Sequence, residues 1–257
     1  MNKASDGKPS ITNKILSSIF VAIVLIGFVL LSISLIGIKL DFTTLFQYKF
    51  RLWQGFLMTI LISLGSFVIS LFFGLITALG QRSKVLVVSY LCKIYVQIIR
   101  GTPLLVQIYL FYYIIGTAWG VNNRYISGIL ILSLFEGAYI SEIIRGGFES
   151  IDRQKYEIAK SICLTSTKTF KYVTLPILLA RILPSLAGQF ASIIKDSSLL
   201  SVIAVIELTQ TTQEISADNF RMFENYIFIG ALYFLLTFTV SLISKRLEKR
   251  YNHELRA

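Results

Sequence analysis

Long apolar runs separated by short polar ones set the plan of this chain. A helix needs about 20 apolar residues to cross the hydrocarbon of a bilayer. Ile15–Ile38 and Phe56–Gly80 meet that length without one charged residue. Gly101–Gly120 meets it too, led by Val85–Ile99, an apolar segment interrupted only by Lys93. Ile126–Ile144 carries Glu136 and Glu142, Leu183–Ile206 carries Lys195 and Asp196, and Tyr226–Ser244 is again uncharged. The pattern predicts an all-α integral membrane protein with about six transmembrane helices. The third is either a long tilted helix or an interfacial helix leading into a span. The expected layout is a tail over 1–14, an N-terminal transmembrane helix over 15–38, a core domain over 50–248 and a tail over 249–257. The first apolar run is as long as a span, and no small-residue cleavage site follows closely, so it reads as a retained helix rather than a signal peptide.

Composition agrees with lipid as the solvent: 54% of the 257 residues are hydrophobic and only 15% are charged. The net charge of +11 marks cytoplasmic loops and anionic lipid rather than nucleic acid, because no aromatic-basic RNA-binding pattern accompanies it. Basic residues set the orientation. With the N-terminus inside, the inner segments hold Lys3, Lys8, Lys14, Arg82, Lys84, the 145–181 loop, Lys245, Arg246, Lys249 and Arg250. The outer segments hold Lys39, Lys49, Arg51 and Arg124, and the last outer loop is acidic, with Glu207, Glu214, Asp218 and Glu224 against Arg221. Both termini and the 145–181 loop are therefore expected in the cytoplasm. Two cysteines, Cys92 and Cys163, and one histidine, His253, give neither zinc spacing nor a redox motif. No phosphate-binding G-x-x-x-x-G-K-[ST] loop occurs, so any ATP chemistry must come from another chain.

The polar loop has helical patterning of its own. Glu157, Ala159, Lys160 and Cys163 lie at helical spacing, and a second short helix is expected from about Ser166 to Val173, capped by Thr165 or Ser166 and ended by Leu175-Pro176. Two short helices joined by a turn make a rigid knob that transmits force. An amphipathic segment resting on the bilayer is the alternative reading of the loop alone.

In register, Glu157-Ile158-Ala159, position 163, Val173, Leu175 and Pro176 resemble the EAA loop of ABC importer permeases. Ile158 replaces the first Ala of that pattern and Cys163 replaces its Gly, a residue that gives a tight turn at little cost. Three further segments are similar to the polar amino-acid branch of that family: Arg100-Gly101-Thr102-Pro103-Leu104-Leu105-Val106-Gln107, Gly137 through Gly147, and Lys195 through Ile203. The resemblance implies a type I ABC importer permease core with one extra N-terminal helix, placed multi-pass in a bacterial inner membrane. Its implied partners are a second permease subunit, identical or homologous, cytoplasmic ATPases carrying ATP and Mg, and an extracytoplasmic substrate-binding protein. It also implies that Glu157, Ala159, Cys163, Thr165, Ser166, Thr167, Lys168, Leu175 and Pro176 form the ATPase-coupling surface. Arg100, Gly101 and Pro103 are expected at a structural joint, with Arg100 near the inner interface or paired with a carboxylate such as Glu142.

Charges inside spans cost about 2.5–3.5 kcal/mol each when they face lipid, so Lys195, Asp196 and Glu136 are expected to face protein or a wet cavity. With Ser197 and Ser198 they are candidates for a substrate path suited to a zwitterion, and the two carboxylates favour a cationic substrate side chain. For Lys195 and Glu136, a buried pair locking two helices is an equal alternative. A stand-alone secondary transporter or channel is the rival function, but it gives the polar loop no role. A membrane enzyme lacks a catalytic constellation in this sequence.

Overall fold

The computed structural model describes residues 11–37, 40–121 and 123–254. The chain divides into two units, Met1–Asp41 and Phe42–Ala257. The first holds one helix, α1 (Ile11–Ile36), which contains the predicted first span except for Gly37 and the undescribed Ile38. Leu16, Phe20, Phe28 and Leu35 are all exposed on it, the all-round apolar surface of a helix whose solvent is lipid. It stops at Gly37, where φ is +72°. Of the expected N-terminal tail, residues 1–10 lie outside the described residues, and helix already begins at Ile11.

The second unit opens with a 3₁₀ turn, Thr43–Tyr48, that runs directly into α2 (Lys49–Gln81). Then follow α3 (Leu86–Gly101), α4 (Leu104–Tyr109, continued by a π-helical segment Leu110–Gly116), α5 (Arg124–Glu149), α6 (Arg153–Ser161) and α7 (Ser166–Thr169). A π-helical segment, Phe170–Thr174, joins α7 to α8 (Leu175–Asp196), which tightens into a 3₁₀ turn over Ser197–Ile203. The unit closes with α9 (Leu208–Asn219) and α10 (Met222–Glu254). Among the described residues, five helices are long and apolar enough to cross a membrane, or six if the bent pair α3–α4 counts as one span.

Small and hydroxyl residues bring α2 and α5 together. A Cβ on Gly74 would sit 2.5 Å from Ile140 Cγ2, and one on Gly137 would sit 2.9 Å from Phe73 Cβ. The buried Ser133 hydroxyl donates to the carbonyl of Ser66 across the helix pair (3.3 Å), and Ser66 Oγ donates to Ile129 O (3.4 Å). In lipid, where apolar burial drives little helix association, such backbone approach and interhelical hydrogen bonding hold the bundle. Around this seam pack Ile62, Ile108, Leu132, Phe135, Ile193 and Leu200.

Three expectations change in detail. The third span is not one long tilted helix. It is two arms bent by 111° at Thr102-Pro103, because Pro103 and the extended Thr102 before it cannot continue α3. Pro176 does not end a helix: helix runs unbroken from Ser166 through the π segment Phe170–Thr174 into α8 and on to Asp196, and the π segment stands directly before the proline, where a regular helix would lose an N–H bond. The expected tail from 249 is still α10 as far as Glu254, with 255–257 outside the described residues.

Candidate functional site

Glu136 lies at the middle of α5 and is fully buried. Gln189, on α8, donates its side-chain amide to one carboxylate oxygen, Oε2. The other oxygen, Oε1, is buried and receives no amide, hydroxyl or cationic donor among the described residues, which leaves the Asp196 carboxyl as the remaining hydrogen-bonding neighbour. The neighbouring charged group is the half-buried Asp196 carboxyl, at the C-terminal end of α8. Two carboxyls facing one another repel unless one holds a proton or a cation lies between them. Lys195 is exposed and forms no ion pair with Glu136 among the described residues, and its charge acts on the adjacent Asp196. At Asp196 the α-helix tightens into the 3₁₀ turn Ser197–Ile203, so Lys195 and Asp196 sit at that transition, inside the long apolar helical stretch Ser166–Ile203. Ser197 is buried and donates to Ile194 O (2.8 Å), and Ser198 donates to Lys195 O (2.6 Å), so both hydroxyl protons are used by their own helix. Gln189 has no place among the sequence candidates. Its signal was there: it precedes Asp196 by seven residues, two helical turns along one face.

The polar loop folds from its own caps. The Asp152 carboxylate accepts from Gln154 N (3.0 Å) and starts α6. Ala159 is buried against the bundle, while Glu157, Ile158, Lys160 and Ile162 are exposed. The helix closes through Cys163 N to Lys160 O (2.9 Å) and Leu164 N to Ala159 O (3.0 Å), with Cys163 itself left-handed at φ +55°. That bond pair with a left-handed residue is the Schellman closure, usually occupied by Gly. Thr165 stands at the N-cap of α7 with an extended backbone, but its side chain makes no capping bond. Ser166, Thr167 and Lys168 are exposed, Leu175 is half-buried and Pro176 is exposed. Arg181, on α8, donates to the Ser150 carbonyl and fixes the point where the loop leaves α5. Beneath the loop, a cleft of about 360 Å³ lies between Arg82, Phe148, Tyr156, Lys160 and Phe170, with the Arg82 guanidinium 4.6 Å over the Phe148 ring.

Arg100 pairs with Glu142 (3.4 Å) and lies 5.2 Å over the Tyr139 ring. Gly101 ends α3, and Pro103 stands at the bend just before α4. Gln107 stitches this elbow by donating to Ile99 O (2.7 Å) and Thr102 Oγ1 (2.7 Å).

A further polar cluster was not legible as such. Glu207, which charge counting assigned to an acidic outer loop, is fully buried. It caps α9 by accepting from Thr209 N and Gln210 N (both 2.8 Å), and it accepts from Tyr233 Oη on α10 (2.8 Å). Burial raises its carboxyl above the usual carboxylate range, against the pull of these donors. Thr59 Oγ1, on α2, accepts from Leu208 N (3.1 Å). Glu214 and Asp218 on α9 are paired with Arg51 (2.8 and 2.9 Å) at the surface, so these acids too have partners within the chain.

Bent and straight helices long and apolar enough to cross a membrane thus carry an ordered helical loop. Residues 70–253 match the family described as binding-protein-dependent transport system inner membrane component, and the chain belongs to it. It is 37% identical over 202 residues to the probable glutamine ABC transporter permease protein GlnP of Bacillus subtilis (strain 168), covering 77% of this chain and 93% of that one. It is 36% identical over 197 residues to the L-cystine transport system permease protein TcyB of the same organism, covering 76% and 84%. A solved structure described as an amino acid ABC transporter with histidines superposes with a TM-score of 0.77 at 33% identity, over 83% of this chain and 100% of that one. The chain is thus a multi-pass ABC importer permease with the type I fold, a transport component rather than an enzyme.

Proposed function

We propose that this permease imports polar amino acids delivered by an extracytoplasmic binding protein, working with a second permease and two cytoplasmic ATPases that carry ATP and Mg. Both termini and the 145–181 loop face the cytoplasm in this reading, as the distribution of Lys and Arg supports. The observation that carries it is the loop itself: an ordered two-helix knob, capped at Asp152 and closed at Cys163, that leaves Glu157, Ile158 and Ile162 exposed side by side. Exposed aliphatic residues beside a carboxylate on a rigid helix suit a protein partner. Glu157 meets the ATPase, Ala159 seats α6 on the permease, and Thr165, Ser166, Thr167 and Lys168 extend the contact. Leu175 and Pro176 pass the displacement into α8. Alternating access follows when ATP-driven closure of the ATPases moves the two loops as rigid bodies.

Along the path, Glu136 and Asp196 take the ammonium or another cationic group of the substrate, Gln189 orients Glu136, and Lys195 with the Ser197–Ser198 turn borders the path. The printed names of the relatives, glutamine and L-cystine permeases, support an amino-acid substrate. The stand-alone transporter has no use for the knob. The test is co-purification from native membranes with identification of the retained proteins, for wild type and Glu157→Ala. A nucleotide-binding ATPase held by wild type and weakened by the substitution is expected. An oligomer that retains no ATPase under gentle extraction overturns the reading.

A further inference from the structure

A polar cleft of about 790 Å³ opens between α2, α3 and α5, and its lining includes Gln81, Arg100, Tyr139, Glu142, Arg145 and Glu149. Glu142 is the node of these side chains. It accepts from Gln81 Nε2 (3.2 Å), from Arg145 Nε and NH2 (3.0 and 2.8 Å), and pairs with Arg100 NH1 (3.4 Å). Arg145 passes the chain of charges one turn on, to Glu149 (2.6 Å), the last residue of α5. Asp152, which caps α6, follows three residues later. At the other end, Arg100 sits on the last turn of α3, immediately before the 111° elbow. The elbow is stiff because Gln107 and Thr102 bond the freed carbonyls of Ile98 and Ile99. Its second arm plants Leu104 and Ile108 in the core that surrounds Phe135 and Ile193.

We propose that Glu142 is a positioning residue that couples the loop to this elbow. The inference rests on the proposed ATPase contact at the loop. When α6 is displaced, the end of α5 moves with it. Glu142 then draws α3 and α2 along through Arg100 and Gln81, and the rigid elbow turns α4 against the core beside Glu136. Half-exposed ion pairs of this kind add little stability. Their value here is geometric, because a fork of two guanidiniums on one carboxylate fixes direction as well as distance. Without the node, α3 keeps its contact with α5 through the Tyr95 hydroxyl and Leu134 O, so folding survives while the link at the elbow is lost.

The experiment reconstitutes the complete importer in vesicles and measures ATP hydrolysis and amino-acid uptake in the same sample, for wild type, Glu142→Gln, Arg100→Ala, Arg100→Lys and the exchange pair Arg100→Glu/Glu142→Arg. Glu142→Gln and Arg100→Ala are expected to retain the ATPase and hydrolyse ATP, while uptake per ATP falls about tenfold, within the usual range of coupling between sites. Arg100→Lys or the exchange pair is expected to recover part of the loss. Unchanged uptake per ATP in Glu142→Gln overturns the inference, as does equal loss of hydrolysis and uptake in every variant. Wild-type vesicles without ATP-dependent uptake would instead sink the importer reading itself, so the two failures are distinguishable.

Discussion

Glu136 and Glu142 lie on one helix, less than two turns apart, and the fold treats them in opposite ways. Glu142 is held by Gln81, Arg100 and Arg145 and has no unused oxygen to offer. Glu136 is the more deeply buried, yet it receives one amide from Gln189, and its other neighbour is the Asp196 carboxyl, which can bond to it only if one of the two holds a proton. Two buried carboxyls side by side cost free energy unless a proton or a cation is shared between them. A fold retains such a cost where a ligand completes the site, and it fills the valences where a residue serves as a strut. That contrast supports the proposed roles, Glu136 in binding and Glu142 in positioning.

The largest test of that contrast is Glu136→Gln, which keeps size and removes charge. If Glu136 meets a substrate cation, losing one member of a buried charge pair costs about 2–5 kcal/mol. Uptake at limiting substrate should fall by about 30-fold or more, at roughly tenfold per 1.4 kcal/mol. Uptake within about threefold of wild type would reduce Glu136 to a packing residue and erase the contrast. Glu207 provides the second test, because it is as buried as Glu136 but satisfied by two backbone amides and the Tyr233 hydroxyl. Glu207→Ala removes a helix cap and strands its donors, so stability should drop by about 2 kcal/mol. Hydrogen exchange across α9 measures this directly, and unchanged protection there would show that Thr59 and the Arg51 pairs hold α9 without it.

The spans were legible because twenty apolar residues in a row have few other uses, and the loop was legible because its spacing matches a family pattern. What escaped was set by partners far apart in sequence. Glu207 reads as one more acid in an outer loop until Thr59 and Tyr233, 148 and 26 residues away, are brought to it. Gln189 becomes meaningful only beside Glu136, 53 residues earlier. Lys195, expected to face protein or a wet cavity, is exposed where the α-helix gives way to the 3₁₀ turn, and no sequence pattern marks that change of helix type. The bend at Pro103 was visible as a joint, but its angle is fixed by Gln107 reaching back to Ile99 and Thr102. The run through Pro176 depends on the π segment before it, which no local pattern announces.

The smallest test moves the question of satisfied and unsatisfied groups from side chains to backbone. At Cys163 both closing hydrogen bonds of α6 are made, so the polar groups are as content as those of Glu142, and the cost lies in the left-handed backbone of a residue with a Cβ. That conformation costs about 1 kcal/mol more for Cys than for Gly. Cys163→Gly should therefore steady the closure by about 1 kcal/mol, less whatever chain entropy the glycine adds to the unfolded state. Exchange of the Cys163 and Leu164 amides should slow by up to about fivefold, the ratio that 1 kcal/mol sets. Cys163→Val, β-branched and far costlier at positive φ, should speed it. The same order for Gly, Cys and Val in ATP-dependent uptake would mean that turn strain at position 163 limits how firmly the knob transmits force. If exchange follows that order while uptake does not, the turn is a local matter, and the stiffness that counts lies in α6 and in the Glu142 node behind it.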